Sequence, residues 1–309
     1  MKPALAWPNG CRFAFTVFDD PDSQTLEASK AVYSLLEDLG FRTTKAVWLV
    51  EPRERNSPGE TCQSREFLEW AVRLQEKGFE IGYHNGAPGS LCRDEVIRSL
   101  DLFREYFGHD PVTMANHYNE DAIYWGAARL GSSAARAVHR AMCLGRKDRF
   151  FGHVPGHPSY WGDVCRERVG YCRNFVFRDV NTLRACPYMP YVDPRRPYVA
   201  RWFASSEGAN RASFLRRLAE PEQDRLEEEG GACLMYTHFG HHFVDEAGRL
   251  HSEFKRLMTR LAKKKGWFVP AGVLLEYLRK ERGDHVLDDA ERGRLERRWL
   301  AAKLLHGTS

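Results

Sequence analysis

The chain alternates between short apolar segments and longer segments with helical spacing, and this alternation constrains its fold more than any other feature. The helical segments carry apolar residues three or four positions apart and end at glycines such as Gly40, Gly78 and Gly108. The segments predicted as strands are 12–18, 44–50, 79–84, 112–116, 175–180, 232–238 and 267–270. About seven such β/α units predict a parallel sheet. Periodicity alone leaves open whether that sheet is open or closed into a barrel.

Composition limits the class of protein. The 309 residues are 43% hydrophobic and 28% charged, which is typical of a soluble globular chain. The 46 basic and 42 acidic residues leave a net charge of +4, which is too balanced to indicate a nucleic-acid partner. No apolar stretch approaches the length of a membrane span, and the first residues do not show the basic segment followed by an apolar segment that is typical of a signal peptide. The eight cysteines lack metal-site spacing, so we expect reduced thiols in a cytoplasmic protein.

Two adjacent carboxylates, Asp19 and Asp20, follow the first predicted strand. Neighbouring strand residues point to opposite sides of a sheet, so the two carboxylates can serve different roles. One can bind a cation while the other, in the mouth of a pocket, accepts a proton. Catalytic groups of α/β folds usually lie at strand ends. The pair can instead cap the following helix.

Three histidines, His84, His117 and His238, lie where later strands end. The carboxyl ends of parallel strands share one rim, so we expect these imidazoles to meet the two carboxylates there. A mixed set of carboxylate and imidazole ligands suits zinc or a similar divalent ion with one position left for water. The sequence therefore predicts a metal site at this rim.

At these residues the chain resembles the polysaccharide deacetylase family, carbohydrate esterase family four. Phe18-Asp19-Asp20 is similar to the family's Thr-Phe-Asp-Asp-Gly motif, and segment 80–84 resembles the strand before its His-x-x-x-His metal motif. Segment 236–238 resembles its Leu-x-His motif. The resemblance implies an α/β fold, a distorted (β/α)7 barrel over residues 1–280. It also implies that Asp19 is the base, Asp20 a metal ligand and His238 the general acid.

The chain departs from the family pattern at three places. Pro88 stands where the second metal histidine is expected, and Pro21 replaces the glycine after Asp20. No arginine occurs near 114–118, where the family's Arg-x-Pro motif falls. We therefore predict that His117 supplies the third ligand, beside Asp20 and His84. His117 can instead only hydrogen-bond its own loop.

Two segments outside the strand pattern complete the predicted organisation. Residues 131–206 form a long, irregular middle rich in aromatic residues, which either stack on a sugar or pack the loop itself. The predicted substrate contacts are Tyr160, Trp161, Asn85 and Tyr118. Residues 281–309 are predicted to form an amphipathic helical tail that lies on the barrel or on a partner subunit, so a homo-oligomer is one expectation.

Three functions are consistent with this sequence. The first is a zinc-dependent hydrolase that removes an acyl group from an amide or ester of a saccharide or saccharide precursor. There Asp19 would accept a proton from water and His238 would protonate the leaving group. The second is a hydrolase or isomerase of a small non-sugar amide. The third is a saccharide-binding protein that has lost the metal.

Overall fold

The structure is a computed structural model that describes residues 5–142 and 149–307. Its strands within these ranges join into one sheet. They are β1 (Phe13–Asp19), β2 (Thr44–Val47), β3 (Glu80–Tyr83), β4 (Thr113–Met114), β5 (Tyr171–Phe177), β6 (Tyr191–Val192), β7 (Trp202–Glu207), β8 (Ala232–Thr237), β9 (Gly266–Phe268) and β10 (His285–Val286).

Seven parallel strands close into a barrel, in the order β1-β2-β3-β4-β5-β7-β8 and back to β1. The β1–β8 pair closes the ring, with Ala14 beside Ala232 and Asp19 beside Thr237. All seven residues of β1 are buried, because both faces of this strand are covered. The predicted (β/α)7 barrel is therefore confirmed.

One segment predicted as a barrel strand lies outside the barrel, although the predicted number of about seven barrel strands is confirmed. The segment predicted at 267–270 becomes β9, which pairs only with the start of β1. The seventh barrel strand is β7, inside the middle that we had predicted to be irregular. The serines of β7 interrupt its apolar pattern. The hydroxyl of Ser206 lies 2.7 Å from that of Thr182, so it has a hydrogen-bond partner inside the fold. A strand with buried polar side chains lacks the apolar pattern on which prediction depends.

Helices surround the barrel and fill its connections. They are α1 (Leu26–Asp38), α2 (Arg65–Glu76), α3 (Arg93–Phe107), α4 (Ser133–Met142), α5 (Gly162–Arg168), α6 (Thr182–Ala185), α7 (Arg211–Arg217), α8 (Glu220–Glu228), α9 (Ser252–Ala262), α10 (Ala271–Arg282) and α11 (Asp289–His306). Thr25 begins α1 by accepting a hydrogen bond from the Ala28 amide. Across the described ranges, no helix has the length and apolar character that a bilayer crossing requires.

Helix α10 closes the end of the barrel opposite the predicted site. Ala271 and Leu275 belong to a buried cluster with the barrel residues Phe18 and Leu234. The Ala271 amide donates to the hydroxyl of Thr44, which is the first residue of β2. Because α10 covers the amino ends of the strands, the opposite rim is left for a functional site.

The predicted tail, 281–309, packs against the same chain as far as it is described. β10 extends the sheet through β6, and α11 contacts β5 and α4. Leu295 and Trp299 of α11 are buried, whereas Leu304 and Leu305 are exposed. A role of this helix in an oligomer stays a prediction. The described cysteines are free thiols, and Cys143 lies outside the described residues.

Candidate metal centre

Asp19 and Asp20 point in opposite directions at the end of β1, as the geometry of a strand requires. The Asp19 carboxylate turns outward, where it accepts hydrogen bonds from Lys45 Nζ at 2.7 Å, the Tyr33 hydroxyl at 3.2 Å and the Phe239 amide at 2.8 Å. Its side chain and that of Lys45 are each 1% exposed. Asp19 is therefore a buried structural carboxylate, and it does not line the cavity described below.

Asp20 turns toward the barrel axis and pairs with Arg173 of β5. Arg173 Nη1 donates to Asp20 Oδ1 at 3.0 Å, and Nη2 donates to Oδ2. The guanidinium also lies over the rings of Phe18 and Tyr236, with its carbon 4.2 Å from the centre of the Tyr236 ring. A two-pronged pair of this kind fixes the orientation of the carboxylate as well as its charge.

Asp22 is the carboxylate that meets the histidines. Its Oδ1 lies 3.0 Å from His117 Nε2, and its Oδ2 lies 3.5 Å from His84 Nε2. One donor atom from each of these three residues lies within 4.8 Å of the other two. Ser57 donates to Asp22 Oδ1 at 2.7 Å and holds the carboxylate in place. This group can hold a divalent cation.

Two asparagines position His117. The Asn119 side-chain oxygen lies 2.9 Å from His117 Nδ1, which donates to it, so Nε2, facing Asp22, is the nitrogen that a metal would take. The Asn85 side-chain oxygen accepts from the His117 amide at 2.7 Å. Asp121 in turn accepts from the Asn85 amide group at 2.8 Å. The imidazole therefore rests on a layer of buried polar groups of the kind that supports metal ligands.

His238 directly follows β8 and lies near the carboxylates of Asp20 and Asp22. Its Nδ1 lies 2.6 Å from the Ala209 carbonyl oxygen, so Nδ1 donates to that oxygen. Its Nε2 lies 3.5 Å from Asp22 Oδ2 and 4.0 Å from Asp20 Oδ2. The ring thus presents one nitrogen to the site, where it can carry a proton.

The charges in the site act on one another strongly. Burial opposes the ionisation of Asp22, but hydrogen bonds with His117, His238 and His84 outweigh it and hold the pKa of Asp22 well below its usual range. Burial lowers the pKa of His84. For His117 and His238 burial is also the largest influence, but hydrogen bonds and nearby carboxylate charges, Asp22 foremost, together outweigh it and raise the pKa values. The site therefore favours an ionised carboxylate among imidazoles.

These groups open into one cavity of about 380 Å³. Asp20, Asp22, His84, His117 and His238 line one part of it. Its remaining wall is largely aromatic and basic, and includes Tyr118, Trp125, Arg129, His139, Phe150, Trp299 and Lys303. Helix α11 therefore contributes directly to the cavity through Trp299 and Lys303.

Of the four predicted substrate contacts, one lines the cavity and three do not. Tyr118 is 57% exposed and lines the cavity. Trp161 is fully buried and donates to the Asp121 carbonyl oxygen at 2.6 Å, and Asn85 is buried beneath His117. Tyr160 contacts Arg93 and Tyr198. Trp161, Asn85 and Tyr160 are not among the residues that line the cavity.

Sequence reasoning missed Asp22 and Arg173. Asp22 follows the aspartate pair after a single proline, so a third carboxylate close to the strand end was a readable signal. Arg173 lies at the start of a strand that was predicted to begin only at residue 175. Arg173 is followed by the polar Asn174, so the sequence there offered no apolar pattern that would have extended the predicted strand back to residue 171.

Comparison with solved structures places this architecture among known folds. A protein from Mycobacterium smegmatis assigned to the polysaccharide deacetylases has 11% sequence identity and a TM-score of 0.52, over 92% of this chain and 96% of that chain. A polysaccharide deacetylase from Bacillus cereus has 11% identity and a TM-score of 0.35, over 84% and 91% of the two chains. A dimeric archaeal Rubisco from Hyperthermus butylicus has 15% identity and a TM-score of 0.34, over 95% and 67%.

Of these three similarities, that to the Mycobacterium smegmatis protein is close enough to support an argument, and at 11% identity it shows the fold alone. No protein-family model and no curated protein matches the chain. The chain thus has the (β/α)7 barrel fold of polysaccharide deacetylases.

Proposed function

We propose that this protein is a metal-dependent hydrolase that removes an acyl group, and specifically an acetyl group, from a saccharide or saccharide precursor. The observation that carries the proposal is the convergence of three sets of groups in one cavity: a carboxylate between two imidazoles, a second carboxylate paired with arginine, and a third imidazole. The shared fold with a protein assigned to the polysaccharide deacetylases supports it.

Asp22, His84 and His117 would hold the metal. A carboxylate with two imidazoles matches the three-ligand sets of catalytic zinc, and the position of His117 Nδ1 against Asn119 leaves Nε2 for coordination. When bound, such an ion lowers the pKa of water and polarises a carbonyl group. The sequence-based assignment of Asp20 as ligand is replaced here by Asp22, since Asp20 is already paired with Arg173.

Asp20 would accept the proton from the attacking water. It lines the cavity, and its two-pronged pairing with Arg173 fixes the direction of its carboxylate. Asp19, the base implied by the family resemblance, is held outside the cavity by Lys45 and Tyr33. In this proposal the base is therefore Asp20 instead of Asp19, and the carboxylate ligand is Asp22 instead of Asp20.

His238 would donate a proton to the departing amine or alkoxide. Its Nδ1 is engaged with the Ala209 carbonyl, so only Nε2 faces the reacting groups. Hydrogen bonding and charge from Asp22 and Asp20 together outweigh burial and raise the pKa of His238, a shift in the direction that favours an acid role. Asp20 and His238 then act as base and acid in the same cavity, since Asp20 Oδ2 lies 4.0 Å from His238 Nε2.

The aromatic wall supports a ring-shaped substrate. Tyr118, Trp125 and Trp299 line the same cavity as the proposed metal ligands. Faces of aromatic side chains suit the apolar faces of sugar rings, and a cavity of about 380 Å³ lies within the size range of small-molecule sites.

The test measures metal content and acetate release together. Full-length protein, purified without chelators, is assayed by elemental analysis and then with N-acetylated and O-acetylated sugars, with linear and cyclic amides as comparison substrates. We expect about one divalent ion per chain and acetate release that stops with a chelator and returns with zinc. Asp245→Ala removes an exposed carboxylate far along the chain and serves as the control. Failure to bind metal, or hydrolysis of the amides in preference to the sugars, would overturn the proposal.

A further inference from the structure

In the part of the chain that the structure describes, one cation of the cavity wall, Arg129, has no carboxylate partner. Arg129, at the end of the short 3-10 helix Gly126–Arg129, is only 2% exposed and makes no ion pair with any described residue. The other deeply buried arginines are paired: Arg173 with Asp20, and Arg196 and Arg292 with Asp193. Burying an uncompensated charge is costly, so a buried arginine is normally matched by an anion.

Two indole rings flank the Arg129 guanidinium. Its central carbon lies 3.3 Å from the centre of the Trp125 ring and 5.0 Å from that of Trp299. Ring faces attract a cation but accept no conventional hydrogen bond in the plane of the guanidinium. Among the described residues, Nε and Nη2 of Arg129 have no acceptor. The stack therefore holds the cation in a fixed plane while its donors remain unused.

Arg129 lines the same cavity as the proposed catalytic groups. At the catalytic part, the charge of Asp20 is matched by Arg173, and Asp22 is surrounded by imidazoles. Burial and the charge of Arg173 lower the pKa of Arg129 to about 9, so its guanidinium stays a cation at neutral pH. The fixed charges of the described residues that line this cavity thus leave Arg129 without a counterion at the aromatic wall.

We propose that Arg129 is a specificity-determining residue that recognises an anionic group, a carboxylate or a phosphate, carried by the saccharide substrate. The planar guanidinium matches both groups through paired N–H donors. Tyr118, which is 57% exposed and lines the same cavity, would contact the adjoining sugar ring while Arg129 binds the anion. This assignment of substrate class rests on the proposed function for the reaction itself, and it adds that an uncharged sugar is a poor ligand.

The experiment measures binding and does not require turnover. Full-length protein, both as purified and after chelation, is titrated calorimetrically with D-glucuronate, D-glucose 6-phosphate and D-glucose. The chelated sample separates Arg129 from any anion binding by a metal. We expect both charged sugars, or one of them, to bind at least about tenfold more tightly than D-glucose in both samples, the difference that one charge-assisted hydrogen bond supplies. The preferred anion identifies the source of the charge.

Three variants test whether Arg129 causes the difference in affinity between charged and neutral sugars. Arg129→Met keeps the volume between the indoles and should reduce the affinity for the charged sugar about tenfold or more, while leaving D-glucose unchanged. Arg129→Lys should retain part of the affinity, and Arg178→Met, which removes an exposed arginine, should retain all of it. Thermal unfolding confirms that each variant is folded, and Arg129→Met should be no less stable because an unpaired buried charge is lost.

Equal binding of charged and neutral sugars would overturn the assignment, as would unchanged binding by Arg129→Met. These results would leave the proposed hydrolase function standing, because they are obtained without turnover. Conversely, anion binding that depends on Arg129 in a protein that never takes up metal would support the subsite and overturn the hydrolase.

Discussion

Arg173 and Asp20, 153 residues apart in the chain, form a buried two-pronged ion pair across the barrel. Each side chain is 2% exposed. The arginine comes from β5, so the base that we propose at the end of β1 is oriented by the opposite part of the barrel. The family's Arg-x-Pro motif falls near residues 114–118 of this chain, whereas the arginine that pairs with Asp20 comes from β5.

The first prediction separates the two carboxylates that face the cavity. Asp22→Ala should lose metal and activity together, because it removes the only carboxylate of the proposed ligand set. Asp20→Asn should retain metal while its rate falls about 10²- to 10⁴-fold, the usual contribution of a general base. Elemental analysis and acetate release of both variants provide the measurement. A metal-free Asp20→Asn beside a metal-loaded Asp22→Ala would restore the assignment expected from the sequence.

The second prediction concerns the stability of the Arg173–Asp20 pair. Arg173→Met should lower the free energy of unfolding by about 3–5 kcal/mol, because it leaves a buried carboxylate without its partner. The double variant Arg173→Met/Asp20→Asn should recover much of that loss. Urea unfolding measures both, with the exposed Arg178→Met as a control that should change the free energy by less than about 0.5 kcal/mol. A double variant as unstable as Arg173→Met would argue against the pairing as the cause.

The third prediction tests the acid role of His238. His238→Ala should keep its metal but hydrolyse amides and alkyl esters slowly. Its loss on aryl esters should be smaller, because a good leaving group needs little protonation. His241, whose ring centre lies 4.6 Å from that of His238, supplies the matched variant His241→Ala. An equal loss by His238→Ala on every leaving group would contradict the acid role.

The fourth prediction concerns the outward pair of Asp19 and Lys45. Burial outweighs the Lys45 ammonium and raises the pKa of Asp19, so its contribution to stability is complete in acid and is lost as pH rises through that pKa. Lys45→Met removes the compensating charge and raises this pKa further. The variant should therefore lose about 3–5 kcal/mol of unfolding free energy near pH 8 and much less near pH 5.

Urea unfolding at both pH values gives the measurement for Lys45→Met. The double variant Lys45→Met/Asp19→Asn serves as its control, because it cannot ionise at position 19 and should show little of the pH dependence. If Lys45→Met were equally destabilised at both values, the ionisation of Asp19 would not be the source of the effect.

Much of the barrel was predictable because local patterns specify it. Apolar strands such as Phe13–Asp19, and helices that end at glycine, are encoded over a few neighbouring residues. The exception, β7, carries two buried serines, and the hydroxyl of Ser206 is satisfied by the distant Thr182. That satisfaction is a tertiary property, so the pattern of the segment did not predict a strand.

The candidate site was predictable only in part. Histidines at strand ends indicated the rim, and the structure brings His84, His117 and His238 to one cavity. The turn after β1 determines which carboxylate meets these histidines. In this turn Asp22, which follows Pro21, lies between the imidazoles of His84 and His117. A turn of this kind has no periodic signature.

By itself the sequence determined a parallel β/α architecture, with carboxylates and imidazoles at the ends of its strands, because hydropathy and strand geometry act between near neighbours. Only the tertiary structure decided that Asp19 faces outward, that Asp20 pairs with Arg173, and that Arg129 is buried between two indoles. Charge interactions act through space, and their partners here come from strands and helices far apart in the chain. Closure of the barrel therefore determines which charges are compensated and which remain for a ligand.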